Sequence, residues 1–305
     1  MRLVFAGTPQ VAADTLELLL AGPHEVVAVV SRPDAAVGRS SRPVPSPVSR
    51  LALDRRIELL RPDRIAEAAD RLAQLAPDAG AVVAYGGLIP QGVLELPRHG
   101  WVNVHYSLLP RWRGAAPVQH ALLAGDPVTG VSVFRLVAAL DAGPLFATRE
   151  VTIEPGETAG DLLGRLTPIG ADTLGVVLDD LAAGRARAVE QAGDGLTLAP
   201  KLAAAAGRLD WTLPAGRLER VVQASNPSPV AWTTLGGERF RVLRARVAEG
   251  PAGLSPGELL LGRRDVVVGT GDGVLELLQV QPQGRRPMPA GDWARGRHGE
   301  PARFA

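Results

Sequence analysis

The sequence predicts an α/β domain built on a doubly wound, mostly parallel sheet, followed by a small all-β domain. Apolar, strand-like runs alternate with helix-like segments as far as Ala182-Ala183-Gly184. This βαβα order is typical of a parallel sheet with helices on both faces. Beyond Gly184, short β-like runs are separated by glycine- and proline-rich turns. That change of pattern favours a second domain that is a β-barrel.

The elements of the first domain follow from hydrophobic periodicity. Four apolar runs have the length of buried strands: Leu3–Ala6, Val26–Val30, Ala81–Ala84 and Trp101–Val104. The segments between and after them have the spacing of helices: Val11–Leu20, Pro47–Leu53, Ile65–Leu75 and Pro117–Leu123. Two later strands are expected at an antiparallel edge: Gly130–Leu136 and Leu145–Ile153. Residues Thr158–Leu181 are expected to be helical with an interruption near Pro168, because proline lacks the backbone N–H.

The second domain is predicted from three β-like runs, at Arg239–Val247, Asp265–Gly269 and Val274–Val280. We place the boundary so that residues 1–199 form the first domain and residues 200–305 the second. The final segment, Gly296–Ala305, is expected to be frayed, as chain termini commonly are.

Composition restricts the class of protein. A chain of 305 residues favours two domains, and the absence of cysteine excludes disulfides and thiolate metal sites, which suits the reducing cytosol. No apolar run approaches the ~20 residues of a membrane helix, and Gly7-Thr8-Pro9 follows the first strand too soon for a signal peptide. We therefore expect a cytoplasmic protein without a membrane partner.

The charge is distributed unevenly along the chain. The net charge is +1, but residues 201–305 carry 15 basic against 10 acidic side chains. A basic second half is compatible with a phosphate-rich partner. A solvated surface with no partner explains the same charge equally well.

The turn after the first strand does not have the pattern of a dinucleotide site. Gly7-Thr8-Pro9 lacks the G-x-G-x-x-G pattern, and Pro9 has no N–H to offer a pyrophosphate. The turn is better interpreted as a tight strand-to-helix connection.

Asn103 and His105 are the strongest candidates for chemistry. They are two apart at the end of a strand-like run, so both side chains project from one face. Ligands of open α/β sheets bind outside the carboxyl ends of the strands. Asp141, in Asp-x-Gly after another apolar run, could bring a carboxylate there from a neighbouring loop. These three groups suit acyl transfer. The amide can bind a developing oxyanion, the imidazole can move a proton, and the carboxylate can orient the imidazole and stabilise its charge.

These segments, with several others, resemble the folate-dependent formyltransferase superfamily, most closely the branch that acts on methionyl-tRNA. The likeness covers nearly the whole chain. The segments that carry it include Phe5–Pro9, Asn103–His105, Ser107–Pro110, Arg111–Pro117, Leu140-Asp141, Ala199–Leu202, Asp210-Trp211 and Gln279–Pro282. The superfamily as a whole is indicated by Asn-x-His with Ser-Leu-Leu-Pro, and the tRNA branch by Arg-Trp-Arg-Gly-Ala-Ala-Pro.

The resemblance implies a formyltransferase-type Rossmann-like domain and an OB-like barrel that helps to hold tRNA. It implies 10-formyltetrahydrofolate as donor, the α-amino group of methionine on initiator tRNA as acceptor, and a monomer. We expect no metal, because the sequence contains no His, Cys, Asp or Glu cluster with ligand spacing. The residues that it implies are catalytic Asn103, His105 and Asp141, folate-site Ser107, Leu108, Leu109 and Pro110, and tRNA-contacting Arg39 and Arg42. In the expected mechanism, Asn103 and a protonated His105 stabilise the negative oxygen, and Asp141 raises the pKa of His105.

Three alternatives stay open at this stage. The acceptor could be a small-molecule amine, such as glycinamide ribonucleotide or an amino sugar, or it could be water in a formyltetrahydrofolate hydrolase. The chain could also be a catalytically silent RNA-binding protein on the same fold. Tyr106 could either contact folate or be a packing residue.

Overall fold

A computed structural model of the protein describes residues 1–36, 42–251, 253–262, 265–297 and 303–305. The chain divides into two compact units. The first consists of Met1–Gly114, Thr129–Val151 and Leu163–Leu198, and the second of Ala115–Val128, Thr152–Leu162 and Ala199–Ala305. The boundary at residues 199 and 200 stays a prediction. Within the described ranges, no helix combines the length and apolar composition that crossing a bilayer requires.

The sheet of the first unit is mostly parallel, as predicted. Its strands and those of a small hairpin are, in chain order, β1 (Arg2–Gly7), β2 (Glu25–Val30), β3 (Ala35–Ala36), β4 (Pro43–Val44), β5 (Glu58–Leu60), β6 (Ala79–Val83), β7 (Trp101–His105), β8 (Val128–Arg135) and β9 (Leu145–Thr152). The seven strands of the sheet lie in the order β5-β2-β1-β6-β7-β8-β9, and β3 pairs only with β4. The first five strands in this order, β5, β2, β1, β6 and β7, pair in parallel with their neighbours. Strand β8 runs antiparallel to β7.

Helices connect these strands. They are α1 (Gln10–Leu20), α2 (Pro47–Asp54), a 3₁₀ turn (Ile65–Ala68) that leads into α3 (Ala69–Leu75), α4 (Gln91–Leu94), α5 (Pro117–Ala124) and α6 (Ala159–Ala182). The sequence analysis predicts all of them except α4. The start of α2 shows how the local sequence sets these bounds. Ser46 Oγ accepts the Ser49 N–H at 3.0 Å, and Pro47 occupies the first helical position, where its missing N–H costs nothing.

The predicted interruption near Pro168 is wrong, because α6 runs unbroken from Ala159 to Ala182. Proline inside a helix costs about 3 kcal/mol. Leu166, Ala171 and Leu174, on both sides of it, are almost completely buried, and burial of one leucine contributes about 1.5–3 kcal/mol. Packing of the apolar face therefore outweighs the lost hydrogen bond.

The described residues of the second unit form an antiparallel sheet, helix α5 and two further helices. Its further elements are a 3₁₀ turn (Ala204–Gly207), α7 (Ala215–Ser225), β10 (Ala231–Leu235), β11 (Glu238–Ala248), β12 (Leu259–Leu261), β13 (Val266–Gly269), β14 (Val274–Pro282), β15 (Met288–Pro289) and α8 (Ala290–Arg295). The strand order is β10-β11-β14-β13-β12, with β15 beside β14. The sequence analysis missed α7 and α8. Leu218, Val221 and Val222 of α7 are buried in the core of this unit, with the i, i+3, i+4 spacing of a helix face.

The final residues of the chain join the two edges of this sheet. Phe304 bridges Leu235 of β10, and Arg303 bridges Glu258 beside β12. The Phe304 ring is 3% exposed and stacks on Trp211, with ring centroids 5.3 Å apart. The expectation of a frayed terminus is therefore wrong for residues 303–305, because an aromatic anchor and backbone pairing hold them, while residues 298–302 lie outside the described ranges. Closure also covers edge strands that would otherwise expose unpaired backbone groups.

We expect Phe304→Ala to lower the free energy of unfolding by about 3–5 kcal/mol, because a fully buried aromatic side chain leaves a cavity. Urea unfolding followed by circular dichroism measures the change. Leu260→Ala, at a side chain that is 44% exposed on β12, is the control and should have a much smaller effect. A loss below about 1 kcal/mol for Phe304→Ala, typical of a surface position, would contradict the anchoring function.

Candidate active site

Strand β7 presents Asn103 and His105 from the interior of the sheet. Val102 and Val104 are buried on the opposite face, whereas the Asn103 side chain is partly exposed. On the strand, Asn103 pairs with Val82 of β6. An i, i+2 pair on a strand projects from one face with about 6.6 Å between the two Cα atoms. The structure thus places both side chains on one face at the carboxyl end of a parallel strand.

His105 has one firm hydrogen bond and one nearby charge. Its Nε2 lies 2.8 Å from the carbonyl oxygen of Trp112, and its Nδ1 lies 3.8 Å from Oδ2 of Asp141. A carbonyl oxygen only accepts, so Nε2 carries the proton in this contact. Nδ1 is therefore the nitrogen that remains to gain a proton, and it faces the carboxylate. The side chains of His105 and Asp141 are 7% and 11% exposed, which limits screening by water.

Two residues that shape this pair have left-handed backbone. Asp141 has φ 44° and Trp112 has φ 65°. Aspartate tolerates this region better than other side chains do, but for tryptophan it is a rare conformation that costs about 1–3 kcal/mol. The Asp141 loop is fixed by the Gly114 N–H, which donates to Oδ2 at 2.8 Å. Such strain persists only where the surroundings impose it. Here the strained residues, Trp112 and Asp141, are the two partners of His105.

Burial holds the pKa of His105 below its ordinary value. Desolvation disfavours the imidazolium, while the Asp141 charge and the hydrogen bond to the Trp112 carbonyl act in the opposite direction. Asp141 thus acts in the predicted direction, but burial outweighs it. The lowered pKa favours a neutral imidazole in the resting site, and the protonated His105 expected to stabilise the negative oxygen stays a prediction.

The predicted folate segment is tied down by buried hydroxyls. Ser107 Oγ donates to the Arg111 carbonyl at 2.6 Å. Ser132 Oγ of β8 donates to the Ser107 carbonyl at 2.7 Å and accepts the Leu109 N–H at 3.0 Å. Ser107 and Leu109 are buried, whereas Leu108 and Pro110 are partly exposed. Of the four predicted residues, Leu108 and Pro110 are therefore the ones that offer side-chain surface to a ligand.

Tyr106, whose function the sequence left open, is a buried residue. Its side chain is directed at α6, where a Cβ added at Gly170 would lie 3.4 Å from its ring. The ring is inside the first unit and is 7% exposed. Packing thus explains this tyrosine.

The two arginines predicted to contact tRNA are placed differently. Arg42 is exposed and directly precedes β4 of the small hairpin. Arg39 lies outside the described residues. Among the described residues, no cluster of three or more His, Cys, Asp or Glu has the arrangement of a metal site.

The sequence analysis missed three contributors to the site. The Trp112 carbonyl and the Gly114 amide lie in a segment that was noted as a motif, but main-chain contacts leave no side-chain signal. Gln191, whose Nε2 donates to the Asp141 carbonyl at 2.7 Å, lies 50 residues further along the chain and has no motif around it.

The fold and the amide, imidazole and carboxylate groups at the strand ends define a transferase of acyl-type groups. Residues 1–177 match the family described as formyl transferase, and residues 201–298 match the formyl transferase C-terminal domain. The chain therefore belongs to the formyl transferase family, and the predicted superfamily is confirmed.

Two of its curated relatives are bacterial methionyl-tRNA formyltransferases. The enzyme of Streptomyces coelicolor is 50% identical in an alignment 299 positions long, which covers 97% of this chain and 96% of that protein. The enzyme of Thermobifida fusca is 50% identical in an alignment 307 positions long, which covers 100% of this chain and 99% of that protein. Among solved structures, the sugar 3N-formyl transferase WlaRD, in the presence of dTDP and 5-N-formyl-THF, is 14% identical with a TM-score of 0.68. The match covers 94% of this chain and 99% of WlaRD, and at this identity it shows the fold alone.

We expect the pKa of His105, measured by NMR titration, to lie below its ordinary value of about 6.5. Asp141→Asn should lower it further, because the substitution removes the negative charge that favours the imidazolium. The ring nitrogen shifts of the neutral form should report the proton on Nε2. The His105→Gln variant identifies the signal. A pKa above 6.5, or an increase in Asp141→Asn, would contradict this description of the site.

Proposed function

We propose that the protein transfers the formyl group of 10-formyltetrahydrofolate to the α-amino group of methionine on initiator tRNA. The observation that supports this most strongly is the likeness, over almost the whole chain, to methionyl-tRNA formyltransferases at 50% identity. The approach of His105 to Asp141 beside Asn103 supplies groups that the reaction needs.

In this proposal Asn103 binds the oxygen that becomes negative. The amine nitrogen attacks the formyl carbon, and the electron pair of the C=O bond moves to oxygen. The Asn103 side chain makes no hydrogen bond to any other described residue, so its N–H groups are available as donors. A preorganised amide donor at such an oxygen is typically worth ~10²–10³ in rate.

His105 is the proton acceptor in this proposal. Its Nε2 proton is already held by the Trp112 carbonyl, so Nδ1 takes up the proton that the attacking nitrogen loses, directly or through a water. The imidazolium that results lies 3.8 Å from Asp141, whose charge stabilises it. The same proton then passes to the folate nitrogen as its bond to the formyl carbon breaks. A neutral resting imidazole, favoured by burial, is the form that this step requires.

We propose that the folate lies against Leu108 and Pro110, with Ser107 and Leu109 shaping the loop from beneath. The partly exposed side chains can contact a ring system, and the hydrogen bonds of Ser132 keep the loop in place. For the tRNA, the net positive charge of residues 201–305 and the positive charges of Arg39 and Arg42 suit a phosphate backbone. A monomer in the cytoplasm remains our prediction.

The alternatives have less support. Full-length likeness to enzymes for methionyl-tRNA disfavours a small-molecule acceptor or water. The catalytic trio disfavours a silent RNA-binding protein.

One assay tests the proposal directly. The protein is incubated with formyl-labelled 10-formyltetrahydrofolate and, in parallel, with charged initiator tRNA, uncharged tRNA, glycinamide ribonucleotide or no acceptor. We expect label to be transferred only to the charged tRNA. Formylation of glycinamide ribonucleotide, or release of formate without an acceptor, would favour the alternatives.

Asn103→Ala is expected to lower kcat ~10²–10³-fold by removing an oxyanion donor. His105→Ala is expected to lower it ~10²–10⁴-fold by removing the proton acceptor. Both variants should keep the circular dichroism spectrum of the parent protein. If either folded variant kept more than about a tenth of the parent turnover, well short of these losses, its residue would not be catalytic.

Arg39→Ala and Arg42→Ala are expected to raise KM for the charged tRNA and to flatten its dependence on salt, because each phosphate contact releases counterions. KM is measured between low and physiological salt. Arg50→Ala, at an exposed arginine of α2, is the matched control. An unchanged KM and an unchanged salt slope would remove both residues from the interface.

A further inference from the structure

We propose that Gln191 is a positioning residue for formyl transfer, which holds the Asp141 loop at its working distance from His105. This inference rests on the function proposed above and deepens it. Gln191 is partly buried and makes no contact with the imidazole in the hydrogen bonds of the site. It therefore acts through the residues that it holds.

The carboxamide of Gln191 uses all of its hydrogen-bonding capacity. Its Nε2 donates to the carbonyl oxygens of Asp141 at 2.7 Å and of Gly143 at 2.8 Å. Its Oε1 accepts from Nε of Arg113 at 3.1 Å and from Nη2 at 2.6 Å. A carbonyl cannot donate and a guanidinium cannot accept, so the chemistry of the partners fixes the orientation of the amide.

The hydrogen-bond partners of Gln191 belong to the two segments that contact His105. Arg113 lies between Trp112, whose carbonyl holds Nε2 of His105, and Gly114, whose N–H holds the Asp141 carboxylate. Gln191 thus joins the segment with the imidazole partner to the loop with the carboxylate. The surrounding chain reinforces this connection.

Thr197 is the main reinforcement. Its Oγ1 accepts the Trp112 N–H at 2.9 Å, and its carbonyl accepts the Arg113 N–H at 2.9 Å. The segment from Gln191 to Thr197 is therefore hydrogen-bonded to residues 112 and 113 through both of its ends. The left-handed backbone of Asp141 and Trp112 needs such external support.

The expected consequence of losing Gln191 is a displaced carboxylate in a folded protein. An error of about 1 Å in a reacting group can cost ~10²-fold in rate. Substrate binding should be affected little, because Gln191 is not among the residues proposed to contact folate or tRNA. The effect should thus fall on kcat and leave KM unchanged.

Two substitutions test this. Gln191→Leu keeps much of the volume and removes every hydrogen bond. Gln191→Glu keeps an acceptor for Arg113 but loses both donors and places a negative group against two carbonyl oxygens. We expect each to lower kcat for charged initiator tRNA by about 10–100-fold with KM for both substrates unchanged. Glu190→Gln, at the exposed neighbouring residue, should match the parent protein, and thermal unfolding verifies that each variant is folded.

A double-mutant cycle separates positioning from general stability. If Gln191 acts through Asp141, then Gln191→Leu should cost less than about threefold in an Asp141→Asn background, because coupled residues are not additive. Single-turnover measurements give the rates. Full additivity, an unchanged kcat in Gln191→Leu, or a loss confined to KM would overturn the inference.

A readout without substrate distinguishes failure of this inference from failure of the proposed function. NMR titration of His105 in Gln191→Leu should show the pKa moving downward, as in Asp141→Asn, because the carboxylate is further away. A parent protein that does not formylate the tRNA would refute the proposed function, while this titration still tests the positioning. An unchanged pKa in Gln191→Leu would overturn the positioning whatever the acceptor.

Discussion

The hydrogen bond from His105 Nε2 to the Trp112 carbonyl is the contact on which the site depends. It fixes the tautomer, because a carbonyl only accepts, and so turns Nδ1 towards Asp141. Burial then favours the neutral imidazole, because it lowers the pKa of His105. A neutral ring with one free nitrogen beside a carboxylate is a proton acceptor whose charged form is stabilised as soon as it appears.

This arrangement is maintained against backbone strain. Trp112 and Asp141 both occupy left-handed conformations, and neither β7 nor the loops alone would impose them. The Gly114 amide and the Gln191 carboxamide hold the Asp141 loop, while Thr197 holds the Trp112 segment. A rigid strand therefore carries the imidazole and the amide, and a hydrogen-bonded set of loops adjusts the groups around them.

In the second unit, local sequence patterns predict only part of the fold. Short strands and many turns predict a β-domain, but α7 is amphipathic with a low apolar content and was overlooked. The anchor of this sheet, Phe304, stacks on Trp211, far away in the sequence. Its pairing joins the two sheet edges, which is a long-range effect that no local pattern records.

The sequence by itself determined the parallel sheet and the common face of Asn103 and His105, because the strand period of two and the apolar runs are local properties. The Asp-x-Gly segment and the family resemblance singled out Asp141. Only the tertiary structure decided the tautomer and the lowered pKa of His105, the support from Gln191 and the continuity of α6 through Pro168. Each of these depends on burial or on contacts between distant segments, which exist only once the chain has folded.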